Sequence, residues 1–304
     1  MKIKVMLCCL CVLLLALPAA AEEGEIVIQP SYPVSDYVQW LLETARGELG
    51  YHEAKDNSTK YGVWTQDPTA EWCAEFLCWC VNQTDKAHSV KMLDRQYPYY
   101  TGNNTGRDWF IAQGRYIARR GVVPGWGTQW FRGSSTPMTP NSYVPQPGDW
   151  VFFSNAATGD TTHVAMVEYC AYHAEGQVRI HVIEGNSPFS SVKDTVVRNN
   201  YAIDYWAIQG YGTVNDLADI VMRFGNKGEK VKNLQLNLAL AGIFPEGQKV
   251  TGQYGAITEN CVKSIQRQMG AVETGIADHA VQLELQRLIN GVSASNPDNW
   301  VEQK

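Results

Sequence analysis

The chain has 304 residues, of which 45 % are hydrophobic and 18 % are charged. This apolar content is ample for packed cores and excludes a largely disordered protein. The formal net charge of −6 disfavours a nucleic-acid-binding protein, because such proteins carry a surplus of Lys and Arg. At roughly 100–200 residues per domain, the length predicts one large domain or two ordinary ones.

The first 21 residues have the three parts of a secretory signal peptide. Two lysines precede an apolar run over residues 5–17, and a proline and an Ala-x-Ala site that ends at Ala21 follow. The run is too short for a comfortable membrane span, and an uncleaved anchor is the alternative. We therefore expect secretion, cleavage after Ala21 and no membrane contact afterwards, which leaves five of the eight cysteines.

The first half of the mature chain has the pattern of a leader followed by helices and loops. In chain order, it comprises an acidic leader at 22–35, a helix from Asp36 that Gly50 closes, a polar and turn-rich stretch at 51–70, a helix from Cys73 to about Asn82, helical stretches within 85–118 around a loop at 97–106, and a long irregular connection at 121–147. Apolar residues at spacings of three and four indicate the helices. Long irregular connections inside compact domains are commonly functional or mobile.

From Gly148 onwards the apolar pattern is that of strands. Five β-rich runs of similar length, separated by turn residues, lie at 149–153, 163–172, 177–184, 193–198 and 205–211. Short strands in close succession indicate an antiparallel sheet, and helices followed by strands indicate an α+β fold. We assign residues 36–213 to this domain.

Near residue 214 the spacing of the apolar residues becomes helical again. Three series, which begin at Val231, Ile257 and Val281, predict three short helices. We therefore expect residues 214–292 to form a small all-α domain and residues 293–304 to be a polar tail.

The five cysteines that remain are an odd number, so at least one thiol stays outside any internal disulfide in an oxidising compartment. Cys73 begins a predicted helix, where the helix dipole and the free backbone N–H groups lower the pKa of a thiol. Cys80 shares an apolar helix face and is predicted to be buried, whereas Cys78 fits either role. Cys73 is therefore the candidate nucleophile, with a disulfide or a packing role as the alternative. The other four cysteines could form two disulfides.

A thiol nucleophile needs an imidazole that carries protons and is held in place by packing. Of the six histidines, His163 fits best because it begins a strongly apolar strand near the rim of the predicted sheet. A structural histidine is one alternative. A zinc site built from His163, His173, His181 and Cys170 is another, but the spacing of these residues matches no zinc motif. His163 is therefore the candidate base, and we expect no metal site.

The strand after that of His163 supplies a candidate orienting group. Because side chains alternate along a strand, Glu184 and Asn186 are predicted to share one face while His181 points to the other. The short connection at 172–177 makes the two strands antiparallel neighbours. Glu184 can then orient the imidazole as the third member of a triad does. An ordinary polar strand end is the alternative.

Taken together, these motifs resemble those of the CHAP domain, the cysteine- and histidine-dependent amidohydrolase/peptidase family. The motifs that carry the resemblance lie at 48–51, 57–64, 72–80, 145–153, 163–168 and 184–186, within a similarity that covers residues 36–212. The resemblance implies a papain-like fold and a cysteine that attacks an amide in bacterial peptidoglycan. It assigns the nucleophile to Cys73, the base to His163 and the remaining functional positions to Glu184 and Asn186. Some members bind calcium through a D-x-D loop near the cysteine, but this chain has no such loop, so we predict no cofactor.

The C-terminal part resembles the type-one peptidoglycan-binding domain. The matching residues lie at 225–235 and 252–266, with Tyr254 where the common version has Phe. The resemblance implies a tether for an insoluble polymer, which raises the local substrate concentration without a new catalytic contact. Peptidoglycan is thus the expected partner, and the oligomeric state stays open.

Both resemblances together imply a secreted bacterial cell-wall hydrolase, either an N-acetylmuramoyl-L-alanine amidase or an endopeptidase. An NlpC-type endopeptidase, which shares the fold and the chemistry, is one alternative. A secreted wall-binding protein without activity is another, and the intact set of Cys73, His163 and Glu184 counts against it. The bond that is cleaved and the wall that is attacked stay open.

Overall fold

The computed structural model describes residues 25–28, 30, 34–102, 104–129, 137–138, 140–155, 158–173, 177–215 and 221–289. The predicted signal peptide, half of the predicted leader and the predicted tail lie outside the described residues. Within those ranges, no helix is long and apolar enough to cross a lipid bilayer.

Four helices precede most strands of the sheet in the larger domain. They are α1 (Asp36–Arg46), α2 (Lys60–Thr65), α3 (Cys73–His88) and α4 (Thr105–Ala112). Helix α1 ends before Gly47, short of the predicted Gly50. Helix α3 continues past its predicted end because its last turns are anchored from outside: Asp85 accepts hydrogen bonds from the Tyr37 hydroxyl at 2.9 Å and from the Met92 N–H at 2.9 Å. Helix α2 lies in a stretch for which the sequence predicted only turns.

The strands form one antiparallel sheet and a separate small hairpin over the described residues. They are β1 (Ile26–Val27), β2 (Tyr116–Ala118), β3 (Val122–Val123), β4 (Gly127–Thr128), β5 (Trp150–Ser154), β6 (Thr161–Tyr172), β7 (Val178–Gly185), β8 (Val196–Ala202) and β9 (Ile208–Gly212). The sheet has the order β2-β9-β5-β6-β7-β8, β1 pairs with the end of β6, and β3 pairs with β4. The predicted α+β class and antiparallel sheet are confirmed. Strand β2 falls in a stretch that was predicted to be helical.

The two faces of the sheet are buried by different material. On one face, the helices contribute residues such as Leu41 and Phe76 to a core that includes Trp150 and Ile183. On the other face, residues of the irregular connection, such as Tyr143, cover a second core. Helix α3 packs directly on β6 and β7. The first residue of α3 is therefore held near the strands that carry the other candidate site residues.

Three further helices follow the sheet and share a core of their own. They are α5 (Glu229–Leu240), α6 (Ala256–Gln268) and α7 (His279–Ile289). Leu234, Val262 and Leu285 are buried in this core. Val221 and Ile276 belong instead to the apolar cluster of the sheet, so apolar contacts join the two parts of the chain.

Candidate active site

Cys73 stands at the start of a helix whose first turn has no side-chain cap. It is the first residue of α3, and the preceding Trp72 makes no capping hydrogen bond. The N–H groups of a first helical turn have no partner within the helix and favour negative charge in front of them. Cys73 is partly exposed and its thiol is free. A free and partly exposed thiol at a helix start is the setting of a cysteine nucleophile.

Trp72 fixes the position of this helix start. Its ring is fully buried and its indole N–H donates to the Glu53 carboxylate at 2.7 Å. The last residue of β7, Gly185, packs directly against the ring: a Cβ added to Gly185 would lie 2.3 Å from Trp72 Cζ3. The absence of a side chain at Gly185 therefore lets β7 and the Cys73 helix approach each other.

His163 and Glu184 form a buried pair across two neighbouring strands. His163 Nε2 lies 3.0 Å from Glu184 Oε2, and both side chains are fully buried. Phe153, the partner of His163 across β5 and β6, packs against the imidazole with ring centres 5.4 Å apart. The other ring nitrogen, Nδ1, makes no hydrogen bond with any described residue. Nδ1 is thus the atom left for exchange with the thiol.

The charges at the site favour a protonated imidazole. Burial of His163 opposes its positive charge, but the interactions of the ring with the Cys73 thiol and the Glu184 carboxylate outweigh burial and raise the pKa of His163 to about 9. For Glu184, burial alone would raise the pKa, yet hydrogen bonds from His163 and Asn199 and the charge of His163 hold it below its usual value. The resting state is therefore an imidazolium held against a carboxylate.

Two residues of β8 support Glu184, and sequence reasoning missed both. Asn199 Nδ2 donates to Glu184 Oε1 at 2.9 Å, and the Tyr201 hydroxyl lies 2.9 and 3.0 Å from the two carboxylate oxygens. Asn199 also donates to the Tyr201 hydroxyl at 3.0 Å. The strand predicted at 193–198 ends before both residues, whereas β8 continues to Ala202, so no sequence signal marked them. Their contact with Glu184 follows from the pairing of β7 with β8.

Asn186 occupies a different place from the one predicted. Strand β7 ends at Gly185, and Asn186 has a left-handed backbone with φ of 53°, a conformation that Asn tolerates better than most residues. Its amide donates to Glu71 Oε2 at 2.8 Å. The structure therefore brings Cys73, His163 and Glu184 together and puts Asn186 beside Glu71 on the wall of the cleft.

The competing cysteines are unsuited to nucleophilic attack. Cys78 and Cys80 are fully buried, and burial raises the pKa of Cys78 to about 12 and that of Cys80 well above its usual value. Cys170 is also buried, with its Sγ 3.3 Å from the Pro145 carbonyl oxygen. None of the five described cysteines is in a disulfide, so the two disulfides considered from the sequence are not formed.

His181, the nearest competing histidine, belongs to a different cluster from His163. Its Nε2 lies 3.0 Å from Glu25 Oε1, and its ring stacks on Tyr169 with centres 4.2 Å apart. Among the described residues, no group of three or more His, Cys, Asp or Glu side chains is arranged to hold a metal ion.

A cleft of about 670 Å³ gives access to the site. Cys73, His163 and Asn186 line it, together with residues of the connections after β7 and β8, among them Phe189, Lys193 and Trp206. A partly exposed thiol at a helix start, a buried imidazole and an orienting carboxylate, all beside an open cleft, can attack a carbonyl carbon and transfer a proton to a leaving group.

Comparison with known families agrees with this geometry. Residues 64–186 match the CHAP domain, and residues 227–283 match the family described as "Putative peptidoglycan binding domain". The first domain is that of a cysteine- and histidine-dependent amidohydrolase or peptidase. The chain thus has the domain composition of a cell-wall hydrolase with a binding module.

Two solved structures are similar to parts of the chain, with low sequence identity and low TM-scores. One is a peptidoglycan-binding protein from Clostridioides difficile in complex with glutamine hydroxamate, with 21 % identity, a TM-score of 0.22, and coverage of 49 % of this chain and 78 % of that chain. The other is a periplasmic domain of the EpsAB fusion protein of the Vibrio vulnificus type II secretion system, with 21 % identity, a TM-score of 0.21, and coverage of 51 % of this chain and 60 % of that chain. No curated protein matches the chain.

Proposed function

We propose that the protein is a secreted enzyme that cleaves an amide bond of bacterial peptidoglycan with Cys73 as nucleophile, His163 as proton carrier and Glu184 as the group that orients His163. The observation that carries the proposal is the buried His163–Glu184 pair at 3.0 Å, with the Cys73 helix start beside it. A buried charged pair has a desolvation cost, and titratable groups perturbed in this way beside a cleft are typical of functional sites.

The reaction follows from the positions of these groups. The Cys73 thiolate attacks the carbonyl carbon, and the C–N bond breaks as His163 delivers its proton to the leaving amine. The acyl group stays on sulfur as a thioester. A water molecule then gives a proton to His163 and attacks the thioester, which releases the acid and restores the Cys73 thiolate beside protonated His163. The backbone N–H of Cys73 is the candidate donor to the oxyanion.

Glu184 and its partners keep the imidazole aligned through both steps. Glu184 stabilises the positive charge of His163, while Asn199 and Tyr201 hold the carboxylate in place. Asn186 lies on the cleft wall, where its amide and the Glu71 carboxylate are available to a bound substrate. We assign Asn186 to substrate contact at this wall.

Digestion of purified cell walls tests the proposal. The wild-type protein is expected to release fragments, and a Cys73→Ala variant that stays folded by circular dichroism is expected to release none. Mass spectrometry of the fragments distinguishes an amidase, which frees the stem peptide from the sugar, from an endopeptidase, which cuts within peptides. Equal release by both proteins would contradict the assignment of Cys73, and release by neither would favour the non-catalytic wall-binding alternative.

The C-terminal helices are proposed to tether the enzyme to the wall. Support comes from the family match at 227–283 and from the separate core of α5, α6 and α7. A protein that ends at residue 213 is expected to keep its turnover of soluble muropeptides and to bind intact walls more weakly. Unchanged wall binding, measured by co-sedimentation with insoluble walls, would contradict the tether.

Secretion is proposed from the first 21 residues. The expected mature protein begins at Glu22, and N-terminal sequencing of protein from the culture medium checks this. Protein that keeps residue 1 and stays with the cells would contradict cleavage.

A further inference from the structure

A large aromatic side chain is exposed at the mouth of the catalytic cleft. Trp206 lies between β8 and β9, lines the cleft and is 54 % exposed. What distinguishes Trp206 from other exposed aromatic residues is its place on the wall of the cleft that holds Cys73 and His163, where its flat apolar face is offered to a ligand. Two successive ring contacts connect Trp206 to the imidazole: Phe189 lies 6.4 Å from Trp206 and 6.1 Å from His163 between ring centres.

The support beneath Trp206 is rigid. Phe189 meets the indole edge-on at 87° and also packs against Phe153 and Tyr201 in the core. The turn that carries Phe189 is held by Lys193, whose ammonium group donates to the Pro188 carbonyl at 2.9 Å. An aromatic surface that is already ordered loses little entropy when it binds a ligand.

The chemistry of peptidoglycan limits what can cover this surface. The stem peptide offers small methyl groups, carboxylates and ammonium groups next to its amides. Lys193 is bonded to Pro188, next to the Phe189 that supports Trp206, and its positive charge disfavours an ammonium ligand there. The Glu71 carboxylate also lines the cleft but is bonded to Asn186. The remaining group with a broad face of C–H bonds is the pyranose ring, which matches the flat apolar face of an indole.

We propose that Trp206 stacks on the sugar ring that adjoins the scissile amide, so that the acyl group transferred to Cys73 is the lactyl group of muramic acid. This inference rests on the proposed function and deepens it. The Cys73 sulfur forms a bond to the lactyl carbonyl carbon, and the bond from that carbon to the alanine nitrogen breaks. The amine takes the proton of His163, and water then hydrolyses the thioester. The enzyme is on this basis a muramoyl–alanine amidase.

Binding to the Cys73→Ala variant tests the sugar contact without any turnover. The probes are N-acetylmuramoyl-L-alanyl-D-isoglutamine and the same dipeptide without the sugar, measured by calorimetry. We expect the sugar to strengthen binding, and Trp206→Ala in the same background to remove about tenfold in affinity for the sugar-bearing probe only, as for one aromatic stacking contact. Trp206→Phe is expected to keep most of the affinity because it retains a flat ring.

A matched control is available within the chain. Trp126 is 77 % exposed in the turn between β3 and β4 and does not line the cleft, so Trp126→Ala is expected to leave the affinity for both probes unchanged. Equal affinity for the two probes, or an equal loss for both in Trp206→Ala, would overturn the sugar contact. So would tighter binding of a sugar-free peptide with a free ammonium group.

Turnover distinguishes this inference from the proposed function. If wild-type protein cleaves walls and Cys73→Ala does not, the function stands. Fragments cut only within peptides would then overturn the amidase inference alone, whereas sugar chains freed of stem peptides would support it. Absence of any cleavage by the wild-type protein would overturn both the function and the amidase inference.

Discussion

The catalytic domain and the C-terminal helices both bury polar side chains, but of opposite kinds. The catalytic domain buries a charged pair, His163 and Glu184, whose protonation depends on its surroundings. The C-terminal core buries neutral amides, among them those of Gln235 and Gln266. Gln235 donates to Gln253 O and Thr258 Oγ1, both at 2.9 Å, and accepts from two backbone N–H groups. Gln266 bonds to residues 274–276 in the same manner.

This difference separates a site that performs chemistry from one that holds loops. A buried amide with all its hydrogen bonds made fixes backbone segments at every pH, because it does not titrate. A buried ion pair brings a desolvation cost and its protonation can respond to pH. A proton carrier requires such a response. We therefore expect substitutions in the charged pair of the catalytic domain to affect turnover. Substitutions in the buried amides of the C-terminal core should affect stability.

The largest expected effect is on the proton carrier. His163→Ala should remove nearly all turnover of soluble muropeptides, because no neighbouring group can take over its proton transfer. His181→Ala is the matched control: its ring lies against Tyr169 and Glu25, so turnover should stay close to wild type. Initial rates, with folding checked by circular dichroism, measure both. Full activity of folded His163→Ala, or its loss in His181→Ala, would contradict the assignment.

A smaller loss is expected when only the charge of the orienting group is removed. Glu184→Gln keeps the shape of the side chain but loses the negative charge beside the imidazole, and turnover should fall about 10²–10⁴-fold, as for orienting groups in other triads. The negative charge favours protonated His163, so its removal should lower the pKa of His163 from about 9.

The pH profile of kcat/KM checks the sign of this effect. The active form needs protonated His163, so activity is expected to be lost as the pH rises through the pKa of His163. In Glu184→Gln this alkaline limb should lie at lower pH than in the wild type. A limb that stays in place or moves to higher pH would show that Glu184 does not stabilise the imidazolium.

The supporting residues of β8 should have an intermediate effect. Tyr201→Phe removes one hydroxyl that donates to Glu184, and a hydrogen bond to a charged group contributes about 1.5–3 kcal/mol. We expect turnover to fall about tenfold and the alkaline limb to shift less than in Glu184→Gln. Tyr205→Phe, on a neighbouring ring, is the control and should change neither. A loss of turnover in Tyr201→Phe without any shift of the limb would indicate a packing role alone.

The prediction of His163 and Glu184 as a pair was possible because it needed only local rules. One short connection makes β6 and β7 antiparallel neighbours, and strand alternation then selects the face. The contact of Asn199 with Glu184 could not be predicted, because Glu184 pairs directly with Val197 and its contact with Asn199 is diagonal. That register is set by the turn between the strands, which the alternation of side chains does not reveal.

Asn186 shows where alternation stops being informative. The rule was extended one residue past the end of β7, where the left-handed backbone turns the side chain towards Glu71. The short elements were missed for a related reason. Helix α2 is held against α3 by a bond from the Thr65 hydroxyl to Glu75 Oε1 at 2.8 Å, and strand β2 exists through its pairing with β9. Tertiary contacts stabilise such short segments, and local propensity does not predict them.

The smallest effect on turnover is expected in the C-terminal core. Gln235→Ala leaves two backbone N–H groups and a carbonyl without their partner, and each such loss costs about 1–3 kcal/mol. The free energy of unfolding of this part should therefore fall, equally at pH 6 and pH 8, because the amide has no charge to titrate.

Gln248→Ala, at an exposed position, is the control and should change nothing. Denaturant unfolding at both pH values, followed by circular dichroism, measures the loss of stability. The turnover of muropeptides should equal that of the wild type. A loss that varies with pH would contradict the contrast between neutral and charged buried groups, and a loss of turnover would show that the C-terminal helices act on the catalytic site itself and not as a tether.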